Sequence, residues 1–283
     1  MTAWTYRAVV ASERTGFTLP GNLPVMQLPS WPRSVWSAGV VLLVVGACSP
    51  AFKLSKFRTN DALYAAATRE YKKKHWDNAI QAYERLTLDL PARDTLLPLS
   101  YWYLAMAHAQ KGEHLLAAQG YSRLNQTFPD DSLADDAMLA EATEYAKMWR
   151  KPALDSQHGQ TALATYRSML ELYPDSPLAP KAEQGIKQML EWLATKDYTT
   201  GLHYVRRKAP DSAIIYFKDV IRNYPETARA RDAYLRLVDV YRSINYRDDA
   251  RDACATLHQK YPGDREVRSK CGPPPPATVA QPN

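Results

Sequence analysis

The sequence predicts an all-α solenoid of helix hairpins, and three observations carry that prediction. Five times an Ala is followed twelve residues later by a Pro: Ala79/Pro91, Ala117/Pro129, Ala162/Pro174, Ala213/Pro225 and Ala250/Pro262. Four residues after each Ala stands Tyr83, Tyr121, Tyr166, Phe217 or, in the last copy, Cys254. Counting back twelve residues from four of these Ala positions finds Ala67, Ala105, Gly201 and Val238, three of them small. Small residues let two helices approach closely, a large side chain one turn later fills the space beside them, and Pro cannot continue a helix. Recurring along the chain, the pattern describes one supersecondary unit stacked on copies of itself.

In detail the unit has the form of a tetratricopeptide (TPR) hairpin, a helix A followed by a helix B. Tyr204 and Tyr241, three residues after Gly201 and Val238, match the tyrosine of that consensus. Gly112 sits at the interhelix turn of the second copy, where a backbone with positive φ is most useful. Asp77, Asp211 and Asp248 stand two residues before the repeat Ala, where they cap helix B or lie in its first turn. The repeat prolines are 38, 45, 51 and 37 residues apart, against about 34 for a regular TPR. In the third copy a longer stretch, Met148 to Gln160, replaces the tight turn. Before the fourth, an additional helix is predicted from about Ala179 to Ala194, started by Pro177 and Pro180 and continuous with the helix A that follows. Departures of this kind make a docking corner or a surface insertion. The fold class is therefore a TPR α-solenoid of five hairpins over residues 60–270, with an insertion in the third and an extra helix before the fourth. Such an array offers an extended concave surface, so the functional expectation is binding.

The N-terminal region carries a second signal. Ala38 to Ala47 reads AGVVLLVVGA, ten residues without a charge, followed by Cys48-Ser49. That is too short to span a bilayer but suits the apolar region of a signal peptide. Val45-Gly46-Ala47-Cys48 resembles a bacterial lipobox, in which the Cys becomes the first mature residue and carries lipid. Residues 1–47 are accordingly set aside as a signal peptide, and a start at Met26 would make it 22 residues long with Arg33 as its basic region. Residues 48–59 read as a lipidated tether, and 271–283, beginning Cys271-Gly272 and running through four prolines, as a disordered Pro-rich tail.

Composition excludes several classes. The chain holds 36 Lys+Arg against 30 Asp+Glu, but the basic clusters Lys72-Lys73-Lys74 and Arg206-Arg207-Lys208 lie at helix A C-termini, where cations complement the helix dipole. No nucleic-acid recognition motif accompanies them. Six His are scattered without metal-ligand spacing, and neither a phosphate loop nor a nucleophile elbow is present. No metal, cofactor or catalytic role is expected; the one modification is the lipid on Cys48. Cys254 and Cys271 suit a disulfide in an oxidising compartment, and Cys254 at the repeat's aromatic position equally suits a buried thiol.

Leu63-Tyr64-Ala65-Ala66-Ala67 followed by His75-Trp76-Asp77-Asn78-Ala79-Ile80 resembles the first repeat of the BamD family, lipoproteins of the outer-membrane β-barrel assembly machine. Asp155-Ser156-Gln157-His158, Tyr173-Pro174-Asp175-Ser176, Tyr224-Pro225-Glu226-Thr227 and Ala230-Arg231-Asp232-Ala233 carry the resemblance onward, so that it covers roughly residues 61–262. It implies a scaffold on the periplasmic face of the outer membrane that binds BamA, other Bam subunits and unfolded outer-membrane proteins. Arg231 matches an Arg of the family associated with BamA coupling; read alone, it is a helix-A Arg pairing locally with Asp232 or Asp239. Other periplasmic TPR lipoproteins, such as a secretin pilot or a cell-wall-synthesis coordinator, form the alternative class. TPR geometry places Tyr64, Thr68 and Tyr71 of the first helix A, and Trp102 and Met106 of the second, on a concave groove suited to an extended apolar-aromatic peptide; Tyr64 and Trp102 equally suit packing against the neighbouring repeat.

Overall fold

The computed structural model describes residues 52–273. The signal segment, Cys48 and the tail beyond Pro273 lie outside the described residues. Among those described the regular structure is entirely helical: a 3₁₀ turn Leu54–Lys56, then α1 Asn60–Lys72, α2 Trp76–Asp89, α3 Leu96–Lys111, α4 His114–Thr127, α5 Ala134–Met148, α6 Gln157–Leu172, α7 Ala179–Arg206, α8 Pro210–Asn223, α9 Ala228–Ser243, α10 Arg247–Lys260 and α11 Arg265–Cys271. Each helix packs on the next, and α1 also touches α3, α5 touches α7 and α7 touches α9, so these odd-numbered neighbours lie side by side.

The repeat prolines set the ends of the even-numbered helices. Their C-caps are Leu90, Phe128, Tyr173, Tyr224 and Tyr261, each directly followed by Pro91, Pro129, Pro174, Pro225 or Pro262. The tight interhelix turns are made in the left-handed region, at Gly112 as the sequence indicates, but also at Lys74, Lys208 and Asn245. Asp77, Asp211 and Asp248 lie in the first turns of α2, α8 and α10, where they face the helix dipole rather than capping it.

The core follows the repeat register. Ala79, Ala117, Ala162, Ala213 and Ala250 are buried, as are Tyr83, Tyr121, Tyr166, Phe217 and Cys254. At Gly201 the reason for a small residue is direct: a Cβ there would lie 2.6 Å from the Phe217 ring. The extra helix is the N-terminal half of the 28-residue α7. There Gly185 repeats the device, since a Cβ would lie 2.5 Å from the Tyr166 ring. Met189 and Leu193 pack into the core of α5–α6, whereas Ala194 and Tyr198 pack into that of α8–α9. One continuous helix thus passes from one core cluster to the next.

The longer connection in the third copy runs over the surface at Arg150, Lys151 and Ala153 to Asp155 but is pinned at its start. Trp149 is fully buried, edge-on to Trp192 at 5.5 Å and seated on Gly159. The eight-residue displacement also hides the third helix A's small residue, Ala142, from a twelve-residue count. Its register is shown by Thr143, whose hydroxyl lies 3.2 Å from the Tyr166 hydroxyl, as Thr68 lies 3.1 Å from that of Tyr83.

Both ends are closed. Phe52, Leu54 and Phe57 of the expected tether pack against the α1–α2 core. At the other end Cys254 and Cys271 form a disulfide across a 17-residue separation, with Cα atoms 5.5 Å apart. Loop-closure entropy makes such a bridge worth about 3 kcal/mol. It covers the last core cluster with α11, whose Val267 is fully buried.

Candidate functional site

Tyr64, Thr68 and Tyr71 fall at i, i+4 and i+7 on one face of α1. Tyr64 meets the Tyr83 ring edge-on at 5.9 Å, and Tyr71 meets Trp76 at 5.2 Å and Tyr103 at 5.6 Å. Tyr83 and Tyr103 stack at 5.7 Å. The array is half-buried apart from the fully covered Tyr83. Burial pushes the phenols of Tyr64, Tyr71 and Tyr83 upward, so these groups stay neutral hydroxyls able to donate and accept hydrogen bonds. Trp102 and Met106 belong to a different cluster, against Ala105, Ala117 and Tyr121, with Trp102 5.1 Å from the Tyr121 ring. The α3 residue that joins the α1 tyrosines is therefore Tyr103, one position from the Trp singled out by the sequence.

A cavity of about 650 Å³ opens elsewhere, between α2, α3 and α4. Tyr101, Leu104 and His108 form part of its floor, on a different face of α3 from Trp102 and Met106, and Leu88 and Leu116 stand at its lips. Leu88 is 79% exposed and Leu116 47%, so both are free to meet a partner at the edge of the cavity. No repeat pattern announces them, because neither occupies a core position.

Two carboxylates join α5 to α4. Glu144 is buried and accepts hydrogen bonds from Lys147 at 2.6 Å and lies 2.7 Å from His114 Nδ1. Glu141 faces Ser122, and desolvation pushes its carboxyl up to about 7. A carboxyl raised in the folded state favours folding while it holds its proton. Its contribution therefore declines as pH climbs from about 4.5, where the unfolded group ionises, to about 7. Glu141→Gln should accordingly raise the melting temperature at pH 8, by an amount equivalent to about 1–2 kcal/mol, and leave it nearly unchanged at pH 5. Calorimetry at the two pH values measures the difference.

Arg231, in the first turn of α9, is held within the chain. Its Nε and Nη2 donate to Asp264 Oδ2 and Oδ1 at 2.7 and 2.9 Å, Nη2 also to Glu266 at 2.9 Å, and Nη1 to Asp232 at 3.1 Å. Asp264 in turn caps α11, accepting from the backbone of Glu266 and Val267. The Arg231 guanidinium, with those backbone donors, holds the Asp264 carboxyl far below its usual range. Of the two local partners read from sequence, Asp232 is engaged; Asp239 instead pairs with Lys270 at 2.5 Å. The bidentate partner, 33 residues away, follows only from the fold.

Among the described residues no cluster of three or more His, Cys, Asp or Glu is arranged to hold a metal, and no helix is long and apolar enough to cross a membrane. An all-helical repeat array with half-buried aromatic and Leu-lipped concavities defines a binding scaffold. The family model described as "Outer membrane lipoprotein" (YfiO) matches residues 57–257, and the chain belongs to that family. Its curated relatives include the outer membrane protein assembly factor BamD of Caulobacter vibrioides, 25% identical over 212 residues covering 74% of this chain and 68% of that protein. The BamD of Xylella fastidiosa strain Temecula1 is 22% identical, covering 78% of both chains. That of Rickettsia prowazekii is 28% identical over a shorter stretch, 36% of this chain and 40% of the relative.

Proposed function

We propose that this chain is a lipid-anchored scaffold of the outer-membrane β-barrel assembly machine, set on the periplasmic face of the outer membrane. It binds BamA together with other Bam subunits and receives unfolded outer-membrane proteins. The observation that carries the reading is the family match across nearly the whole solenoid, joined to relatives named as assembly factors. The stack is read as five TPR hairpins, with the aromatic face of Tyr64, Thr68 and Tyr71 on the first helix A and the separate patch of Trp102 and Met106 on the second as the side that meets substrate peptide. Half-exposed aromatic and Met side chains bury apolar segments without demanding one sequence, which suits a receptor for many clients. The Arg231 end is the side coupled to BamA. Purification from detergent extracts should yield BamA as the major partner; a secretin or a murein synthase in its place would assign the chain to another class of periplasmic TPR lipoprotein.

Anchoring is assigned to an acylated Cys48. Each buried CH₂ of an acyl chain contributes about 0.8 kcal/mol, and more than one chain gives stable attachment. Cys48→Ala should therefore move the protein from the membrane pellet to the soluble fraction in high salt, and metabolic labelling with palmitate should mark the wild type but not the variant. Sedimentation of Cys48→Ala with the membrane in high salt, after Bam partners are stripped, would refute the assignment.

A further inference from the structure

The segment entering α1 has two sides. Phe52, Leu54 and Phe57 turn toward the first hairpin, partly buried against its core, with the two Phe rings 5.6 Å apart. The 3₁₀ turn is closed by Lys56 N donating to Lys53 O at 3.2 Å and Phe57 N donating to Leu54 O at 3.1 Å. Lys53 and Lys56 of the turn and Arg58 just after it are all exposed, Arg58 at the rim of a cleft shared with Arg85 and Asp89. Glu70, Asp89 and Asp77 of the first hairpin are engaged by Lys73, Arg85 and Lys111, while Asp61 and Glu84 are exposed and make no ion pair with the three cations. Three cations within six residues are thus presented on a docked segment, without an ion-pair partner among the described residues.

We propose that Lys53, Lys56 and Arg58 form a second membrane contact, binding the phosphates of an anionic phospholipid leaflet. The placement rests on the Cys48 anchor proposed above. Lys53 stands five positions after Cys48, a reach of at most about 18 Å, so the tether holds the cations near the leaflet, where the surface field extends over a Debye length of about 8–10 Å. Because Phe52, Leu54 and Phe57 fix the segment to α1 and α2, the contact would orient the solenoid as well as hold it: the open end of the first hairpin faces the membrane. A free acyl chain supplies no such orientation. Lys72, Lys73 and Lys74 lie at the opposite end of the 13-residue α1, about 20 Å along its axis.

The test uses the chain from residue 48 with Cys48→Ser, so that no acyl group contributes. Vesicles of phosphatidylglycerol and phosphatidylcholine in equal parts are compared with pure phosphatidylcholine. Binding is expected to the anionic vesicles alone and to weaken as salt rises. The triple variant Lys53→Gln, Lys56→Gln, Arg58→Gln should lose about 100-fold in affinity, three cations at about 1 kcal/mol each near an anionic surface. A matched variant, Lys72→Gln, Lys73→Gln, Lys74→Gln, should bind as the parent does, and all three proteins should melt alike. Equal loss in both triple variants, or parental binding by the first, overturns the proposal. Palmitate labelling of the wild type reports separately on Cys48: absent labelling with retained, charge-dependent vesicle binding would refute the anchor while supporting the basic contact.

Discussion

Gly159→Ala should destabilise the fold by about 3 kcal/mol or more, although Ala is intrinsically the better helix former by about 1 kcal/mol. A Cβ at this position would fall 1.9 Å from Cε3 and 2.4 Å from Cζ3 of Trp149. The indole cannot retreat, since it is 1% exposed and lies edge-on to Trp192. The ring must therefore leave its site, and the cost approaches that of deleting it, about 3–5 kcal/mol for Trp→Ala. For a chain of this length each kcal/mol corresponds to roughly 2–4 °C in melting temperature. The diagnostic is the double variant: once Trp149→Ala has removed the ring, Gly159→Ala should cost little and help refill the cavity. Additive losses in the two single variants would show that Trp149 does not rest on Gly159.

The same site shows what the chain makes legible. The Ala, aromatic and Pro positions can be read because each is repeated and every copy solves the same packing problem: the Ala and the large residue after it (Cys254 in the last copy) are buried in all five copies, while the Pro ends the helix on the exposed side. Ala142 and Gly185 perform the same task but stand at spacings that the insertion and the extra helix have displaced, so counting passes over them. The left-handed turns at Lys74, Lys208 and Asn245 carry no glycine to mark them. The surfaces are less legible still. Tyr103 and Trp102 are neighbours in sequence, and which of them joins the tyrosines of α1 depends on the rotation of α3 about its axis. The cavity flanked by Leu88 and Leu116 follows from two solvent-facing residues that no periodic pattern distinguishes. The Cys254–Cys271 pair joins a repeat position to a residue beyond the last hairpin, so the repeat pattern alone leaves a disulfide and a buried thiol equally open.

Arg231→Glu is expected to lower stability by about 2–4 kcal/mol and to loosen α11, an outcome opposite to that of an unengaged surface Arg. The substitution removes a bidentate charge-assisted pair and adds a carboxylate beside Asp232, Asp264 and Glu266. Each hydrogen bond to a charged group is worth about 1.5–3 kcal/mol, reduced here because the Arg231 side chain is 24% exposed and partly screened. Asp264 also caps α11, so repulsion at its carboxylate weakens the helix start as well as the tie to α9. The sign of the pH dependence is fixed: a depressed folded-state carboxyl stabilises above its unfolded value near 4 and loses that contribution as pH falls toward the folded value. Wild type should therefore lose this increment below about pH 4, whereas Arg231→Glu should lack it throughout. The disulfide keeps a loosened α11 attached, so the full effect emerges when Cys254–Cys271 is reduced, as tryptic cleavage at Arg265 or Arg268 and a lower melting temperature. Arg231→Lys, which keeps the charge without the fork, should fall between. BamA affinity measured in parallel separates two routes to partner coupling. If affinity falls only where α11 is loosened, Arg231 positions that helix for the partner. If Arg231→Lys melts like wild type yet binds BamA weakly, the guanidinium itself meets the interface.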